Sequence, residues 1–154
     1  MRKLAQLMLA VAAVAAGCGD GGGSTTTTRN AGQDRSAARF VIGVQAQLRR
    51  GEFRQAWRSL HPAQKRAVSA QRLASCYPRN AYPRSVTFRA TEVRDVSWHV
   101  PGTSGLSDAE AVAVTATARG RTVDSFEQHI VRASGGWRWM LSRAFFVRAR
   151  RGSC

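Results

Sequence analysis

The sequence predicts an α+β fold, with N-terminal helices packed on a curved antiparallel sheet. Three observations predict it. Apolar residues recur at helical spacing from about residue 34 to residue 76. From Ser85 onward the period falls to two, the mark of strands with one buried face. Helices come first and strands follow as one run, an order that segregates helices to one side of an antiparallel sheet. A chain of 154 residues has room for one such domain and little else. With 44% hydrophobic and 21% charged residues, disorder throughout is excluded. No apolar run approaches the ~20 residues of a membrane-spanning helix.

The chain begins with an address. Arg2 and Lys3 form a short basic start, and Leu4 to Ala16 is an apolar stretch of signal-peptide length, too short to span a bilayer. It ends in Val14-Ala15-Ala16-Gly17-Cys18, which resembles a bacterial lipobox: small residues that admit a signal peptidase, then a cysteine whose thiol is acylated. The resemblance implies a signal peptide over 1–17 and lipidation of Cys18, with palmitate-type acyl chains holding the protein on the membrane. Residues 18–33, rich in Gly, Ser and Thr, read as a flexible linker. The globular domain then occupies 34–154.

Asp34 or Ser36 can cap a first helix over 34–50, where Ala37, Val41, Val44 and Leu48 share one face and Gly51 stops it. Phe53, Ala56, Trp57 and Leu60 mark a short second helix that ends before His61-Pro62. His61 reads as a residue facing the C-terminal dipole of that helix. A third helix spans 63–76, with Val68 and Leu73 inward, and a basic turn bounded by Tyr77-Pro78 and Tyr82-Pro83 follows. Val86, Phe88, Ala90, Val96, Trp98 and Val100 share even parity and predict a first strand, with a bulge near Glu92–Arg94 where the pattern breaks. Residues 109–118 and 122–133 predict two more strands around an Arg119-Gly120 turn. Gly135-Gly136 predicts a hairpin into a last strand over 137–147, with Trp137, Trp139, Leu141, Phe145 and Val147 on one face.

Two cysteines remain after Cys18. Outside the cytoplasm Cys76 and Cys154 are expected to form a disulfide, the alternatives being an intermolecular bridge or free thiols. Their spacing supports neither a redox CxxC nor a zinc ribbon. Net charge is +15, from 24 basic and 9 acidic residues, and 22 of the basic residues are arginine. Residues 29–72 hold ten basic residues against Asp34 and Glu52. This Arg-rich face, with Arg29, Arg35 and Arg39 nearest the membrane, suits anionic lipid or an envelope polymer. No nucleic-acid motif accompanies the charge, and none is expected outside the membrane.

Gly51-Glu52-Phe53-Arg54-Gln55-Ala56-Trp57-Arg58-Ser59-Leu60-His61-Pro62, a long strand after the helices, and the Val131-to-Trp139 segment with its Gly-Gly-Trp together resemble the nuclear transport factor 2-like superfamily, which includes SnoaL-like proteins. The resemblance covers about residues 34–147. It implies a cystatin-like cone of helices on a curved sheet, and the chain resembles exported lipoproteins of the actinobacterial type, which its arginine-heavy composition fits. Members include isomerases, hydrolases, carriers and non-catalytic interaction domains, so the fold alone does not give function.

Enzymes of this superfamily place a carboxylate or a His/Asp pair in an apolar pocket, where burial raises the carboxylate pKa. The ionisable candidates are Glu92, Asp95, His99, Asp124, Glu127 and His129. Asp95 and His99 are about 13 Å apart along a strand, beyond direct contact. Glu127 and His129 are closer, on a parity that reads as facing solvent. None is assigned as catalytic, and neither a metal site nor a cofactor is expected. Trp57, Tyr77, Trp98, Glu127, His129 and Trp139 are the candidate pocket residues, although aromatics at such spacings more often fill the core. The expected role is a lipid-anchored, extracytoplasmic, non-catalytic binding or accessory domain of the cell envelope, taking a small apolar ligand or a protein partner. The alternatives are a small SnoaL-like pocket isomerase or hydrolase and a structural subunit of an envelope complex.

Overall fold

A computed structural model describes residues 28–30, 35–77 and 82–154. The predicted signal peptide, Cys18, most of the predicted linker and the predicted Asp34 cap lie outside the described residues. The elements are β1 (Thr28–Asn30), α1 (Arg35–Arg50), α2 (Phe53–Arg58), α3 (Pro62–Ala67), α4 (Ala70–Cys76), β2 (Thr87–His99), β3 (Leu106–Ala118), β4 (Arg121–Ala133), β5 (Gly136–Trp139) and α5 (Arg143–Arg151). The sheet runs β1-β2-β3-β4-β5, every neighbouring pair antiparallel. The α+β architecture is as the sequence predicts. The edge strand β1 comes from within the stretch read as linker.

Helix α1 lies across the sheet. Ala37, Val41, Val44 and Leu48 are all buried and pack with Val93, Val112, Val114 and Ile130. The inward stripe is the one its spacing predicts. The predicted third helix is two. Val68 leaves helical geometry at φ −130° and Ser69 caps α4, its hydroxyl accepting from the Arg72 N–H at 3.1 Å. His61 closes no helix either. It is the N-cap of α3, where its Nδ1 accepts from the Ala63 N–H at 3.2 Å and Pro62 occupies the first helical turn.

The even-numbered face of β2 is not one face. Pairing shifts at Thr91, so that Ala90 opposes Val114 but Glu92 opposes Ala113. The extra residue inverts the alternation. Phe88, Ala90 and Val93 therefore pack against α1, while Val96 and Val100 join Ala109, Val131 and Met140 on the opposite side.

The last strand is short. β5 ends at Trp139, residues 140–142 form a link, and the rest of the predicted strand is the start of the helix α5. Ser142 caps it by accepting from Phe145 N–H at 3.3 Å, and Gly152 ends it at φ +77°, a left-handed conformation that suits glycine. Phe146 and Ala149 are its buried residues. The turn before β5 is Ser134-Gly135, both at positive φ, one residue earlier than predicted.

Two polar links fasten the helices to β5 and the residues just after it, and a disulfide ties down the chain end. Leu60 bridges Trp139 in parallel, with His61 N–H on Trp139 O at 2.9 Å and Trp139 N–H on Ser59 O at 3.1 Å. Gln64, fully buried, binds both backbone groups of Leu141. Cys76 and Cys154 are bonded, their Cα atoms 4.9 Å apart across 78 residues of chain, which ties the chain end to α4.

Candidate functional site

The strongest cluster of ionisable side chains lies on the sheet face turned away from α1. Across the three long strands, Glu92 aligns with Ala113 and Glu127, and Arg94 aligns with Ala111 and His129. The central strand contributes only alanines in these rows, so long side chains from β2 and β4 meet over it. Arg94 pairs with Glu127 through Nη2 and with Glu92 at 3.1 Å through Nε. His129 Nε2 is 3.1 Å from Glu127 Oε1, and the His129 ring stacks on Trp98 with centroids 3.4 Å apart. Burial beneath Trp98 holds the His129 pKa below its usual value, against the opposing pull of Glu127. A neutral imidazole then donates from Nε2 to Glu127. Arg94 and His129 both hold that carboxylate, so the arrangement is a fixed cross-strand ladder.

The six candidate pocket residues therefore divide. Trp98, Glu127 and His129 come together on this outer face. Trp57, Tyr77 and Trp139 lie elsewhere, among the helices. Trp57 Nε1 donates to Val68 O and Trp139 Nε1 to Ala56 O, each at 2.7 Å. Tyr77 is wedged between Phe53 and Phe145, with centroids at 5.8 and 6.0 Å, and burial pushes its hydroxyl up to about 12. Asp124 accepts from the Tyr82 hydroxyl, whose pKa rises through burial and that bond. Asp95 and His99 are exposed.

The face of the sheet toward α1 is packed. Between it and α1 the side chains of Gln45 and Gln128 meet at 3.3 Å, and Gln128 donates to Met140 O at 2.8 Å. Gln45 falls on the inward stripe of α1, four residues after Val41, and Gln128 on the strand parity of Ile130.

Surface depressions among the described residues include two of note. One, of about 400 Å³, lies between α1, the end of α2 and β5, and is lined by Arg39, Phe40, Gly43, Gln47, Arg58 and Arg138 among others. Arg138 donates to the carbonyls of Trp137 and Ser134, while its Nε and the Gln47 Oε1 are buried with no hydrogen-bond partner. The same region depresses the pKa of His61, first by burial and then by the charges of Arg66, Arg138 and Lys65. The other depression, of about 610 Å³, lies between the end of β2 and α5 and includes Trp98, His99, Pro101, Arg143 and Val147.

Among the described residues no group of three or more His, Cys, Asp or Glu side chains is placed to hold a metal ion, and no helix is long and apolar enough to cross a membrane. No family model, curated protein or solved structure matches the chain.

Proposed function

We propose that this protein is a lipid-anchored, extracytoplasmic binding or accessory domain of the bacterial cell envelope. On this reading it is built on a nuclear transport factor 2-like cone and works through its surface. The observation that carries the reading is the packed sheet face under α1. Where a pocket enzyme of this architecture needs an open apolar cavity with an ionisable group, Val41, Val44 and Leu48 meet Val93, Val112, Val114 and Ile130. The anchoring half rests on the residues Val14 to Cys18 and the linker after them. The cone half rests on the helices-first order, on a sheet wrapped over α1, and on the Gly-Gly-Trp hairpin.

The test of anchoring is the intact mass of the chain recovered from a bacterial envelope. Loss of residues 1–17 and a diacylglyceryl addition at Cys18 are expected, and Cys18→Ser should abolish the addition. An unmodified Cys18 refutes the anchor. Native mass spectrometry of the same material tests the binding role. A retained small molecule would name the ligand class, while a bare chain with a co-purifying, crosslinkable protein would give an accessory role. The Glu127–His129 hydrogen bond favours one second reading, an isomerase or hydrolase acting on the outer sheet face. It requires that His129→Gln abolish turnover of a substrate found in the first experiment.

A further inference from the structure

Leu106 and Trp98 are large apolar side chains left in water, 72% and 39% exposed, and Val147 is 37% exposed. All three lie at one end of the molecule. Trp98 and Val147 line the same depression with Arg143, and Leu106 opposes His99 in the β2–β3 register. On α5, Arg143, Val147 and Arg150 recur at i, i+4 and i+7 and so share one side of the helix. That helix carries four arginines and no acidic residue. A tryptophan, a leucine and arginines on one rim are the set that suits a bilayer interface. The indole is apolar with one polar edge, and guanidinium forks bind phosphate oxygens in pairs.

The direction of β1 is independent of that chemistry. Thr28 opposes Arg94 and Asn30 opposes Glu92. The strand therefore starts nearest Trp98 and runs away from it. Cys18 is ten residues before Thr28, a length that spans at most ~35 Å extended and about 17 Å as a Gly/Ser-rich coil. Thr28 sits level with Arg94, four residues (about 13 Å) from Trp98 and seven (about 23 Å) from Thr87, so a reach of about 17 Å spans to the Trp98 end and falls short of the other.

We propose that this rim, made of Trp98, Leu106 and the Arg143–Val147–Arg150 side of α5, lies on the anionic leaflet that holds the lipid anchor. The proposal rests on the anchoring reading above. It assigns the membrane a specific end of the domain in place of the Arg39 side of α1.

Two exposed positions test it. Leu106 is at the rim, and Val123, 54% exposed, is beside the β3–β4 hairpin at the far end of the sheet, about 36 Å away at ~3.3 Å per residue. Leu106→Trp and Val123→Trp are made in the full chain, purified after processing and reconstituted into phosphatidylcholine vesicles with a phosphatidylglycerol fraction. The vesicles contain brominated acyl chains, which quench only tryptophan at the interface. Flotation scores anchoring separately. The added emission at 106 is expected to fall about twofold and that at 123 to stay unchanged, and Arg143→Glu or removal of phosphatidylglycerol should weaken the quenching at 106. A chain that floats with both positions quenched alike, or neither, overturns the orientation and leaves the anchor standing. Protection of 106 by a second copy or a protein partner would give that unquenched result. Quenching at 106 that ignores charge overturns the role of the arginines. A chain that does not float overturns anchor and orientation together.

Discussion

Gln64 gives the sharpest test of how the helices are held to the sheet. Its amide is fully buried, accepts from Leu141 N–H at 2.8 Å and donates to Leu141 O at 3.3 Å. It therefore completes a backbone pair just after β5 ends. Gln64→Leu keeps the volume and strands both backbone groups. At ~1–3 kcal/mol for each buried group left unpaired, the gross loss is ~2–6 kcal/mol. The more apolar side chain offsets ~1–2 kcal/mol of it. A net loss of ~3 kcal/mol should lower the melting temperature of a domain of ~120 residues by roughly 12 °C. Gln64→Glu separates the donor from the acceptor. Protonated, it reproduces both bonds; ionised, it sets a carboxylate against the Leu141 carbonyl. Burial raises its folded pKa above the ~4.3 of the unfolded chain, so this variant should match the parent below about pH 4 and lose stability as pH rises. Urea unfolding of the parent and both variants from pH 4 to 8 measures this. A loss under ~1 kcal/mol for Gln64→Leu, or a Gln64→Glu deficit independent of pH, would refute the assigned role.

Other consequences are as direct. Reducing the Cys76–Cys154 bridge frees a 78-residue span and should cost about 4.5 kcal/mol on chain-entropy grounds, read from denaturant unfolding with and without reductant; a change under ~1 kcal/mol would mean that α5 docks without it. Gly43 is exposed in the middle of α1 and an added Cβ meets no atom within 4 Å, so Gly43→Ala should stabilise by ~0.5–1 kcal/mol, whereas a loss would show that the surface there is occupied. The imidazole of His129 should titrate below ~6.5 by NMR, and because its folded pKa is depressed it supports the fold above that pH and ceases to as pH falls through it. His129→Gln should flatten that acid-side loss, and an unchanged slope would assign it to His61 and other groups.

How far the sequence could be read depended on whether a side chain's neighbours are local. The α1 stripe was legible because its four inward residues repeat within one helix, and all four are buried. The β2 face was half legible. Alternation predicts a strand, yet one bulged residue at Thr91 redirects everything after it, and only pairing with β3 fixes where it falls. The strand predicted beyond Trp139 failed for a local reason. Leu141, Phe145 and Val147 alternate by accident, while Ser142 and Gly152 are the helix boundaries that outweigh them. The candidate site shows the same division. Glu127 and His129 are two apart on β4, so their pairing could be read, but Arg94 and Trp98 reach them across β3 only because Ala111 and Ala113 leave room. Trp57 and Trp139 look identical to Trp98 in sequence. What separates them is that each indole N–H has a backbone carbonyl inside the helical layer.

These placements bear on where a partner can bind. One sheet face is filled by α1, and the other carries a satisfied charge ladder beside the Val96–Val131 cluster. On the proposed binding role, rims and seams join the outer sheet face as candidate surfaces, and shifts of α5 or of the α1–α2 junction would change them most. Both are pinned. Cys154 fixes the chain end after α5 to α4, and Arg50 with Glu52 braces the α1–α2 junction at 2.6 Å. The exposed Arg50 pair contributes little to stability, whereas the disulfide contributes several kcal/mol. The oxidised Cys76–Cys154 bridge therefore helps to hold α5, and with it Val147, at the rim bearing Trp98. On the proposed envelope side of the membrane that oxidation persists, and in a reducing compartment the same chain would present α5 less firmly.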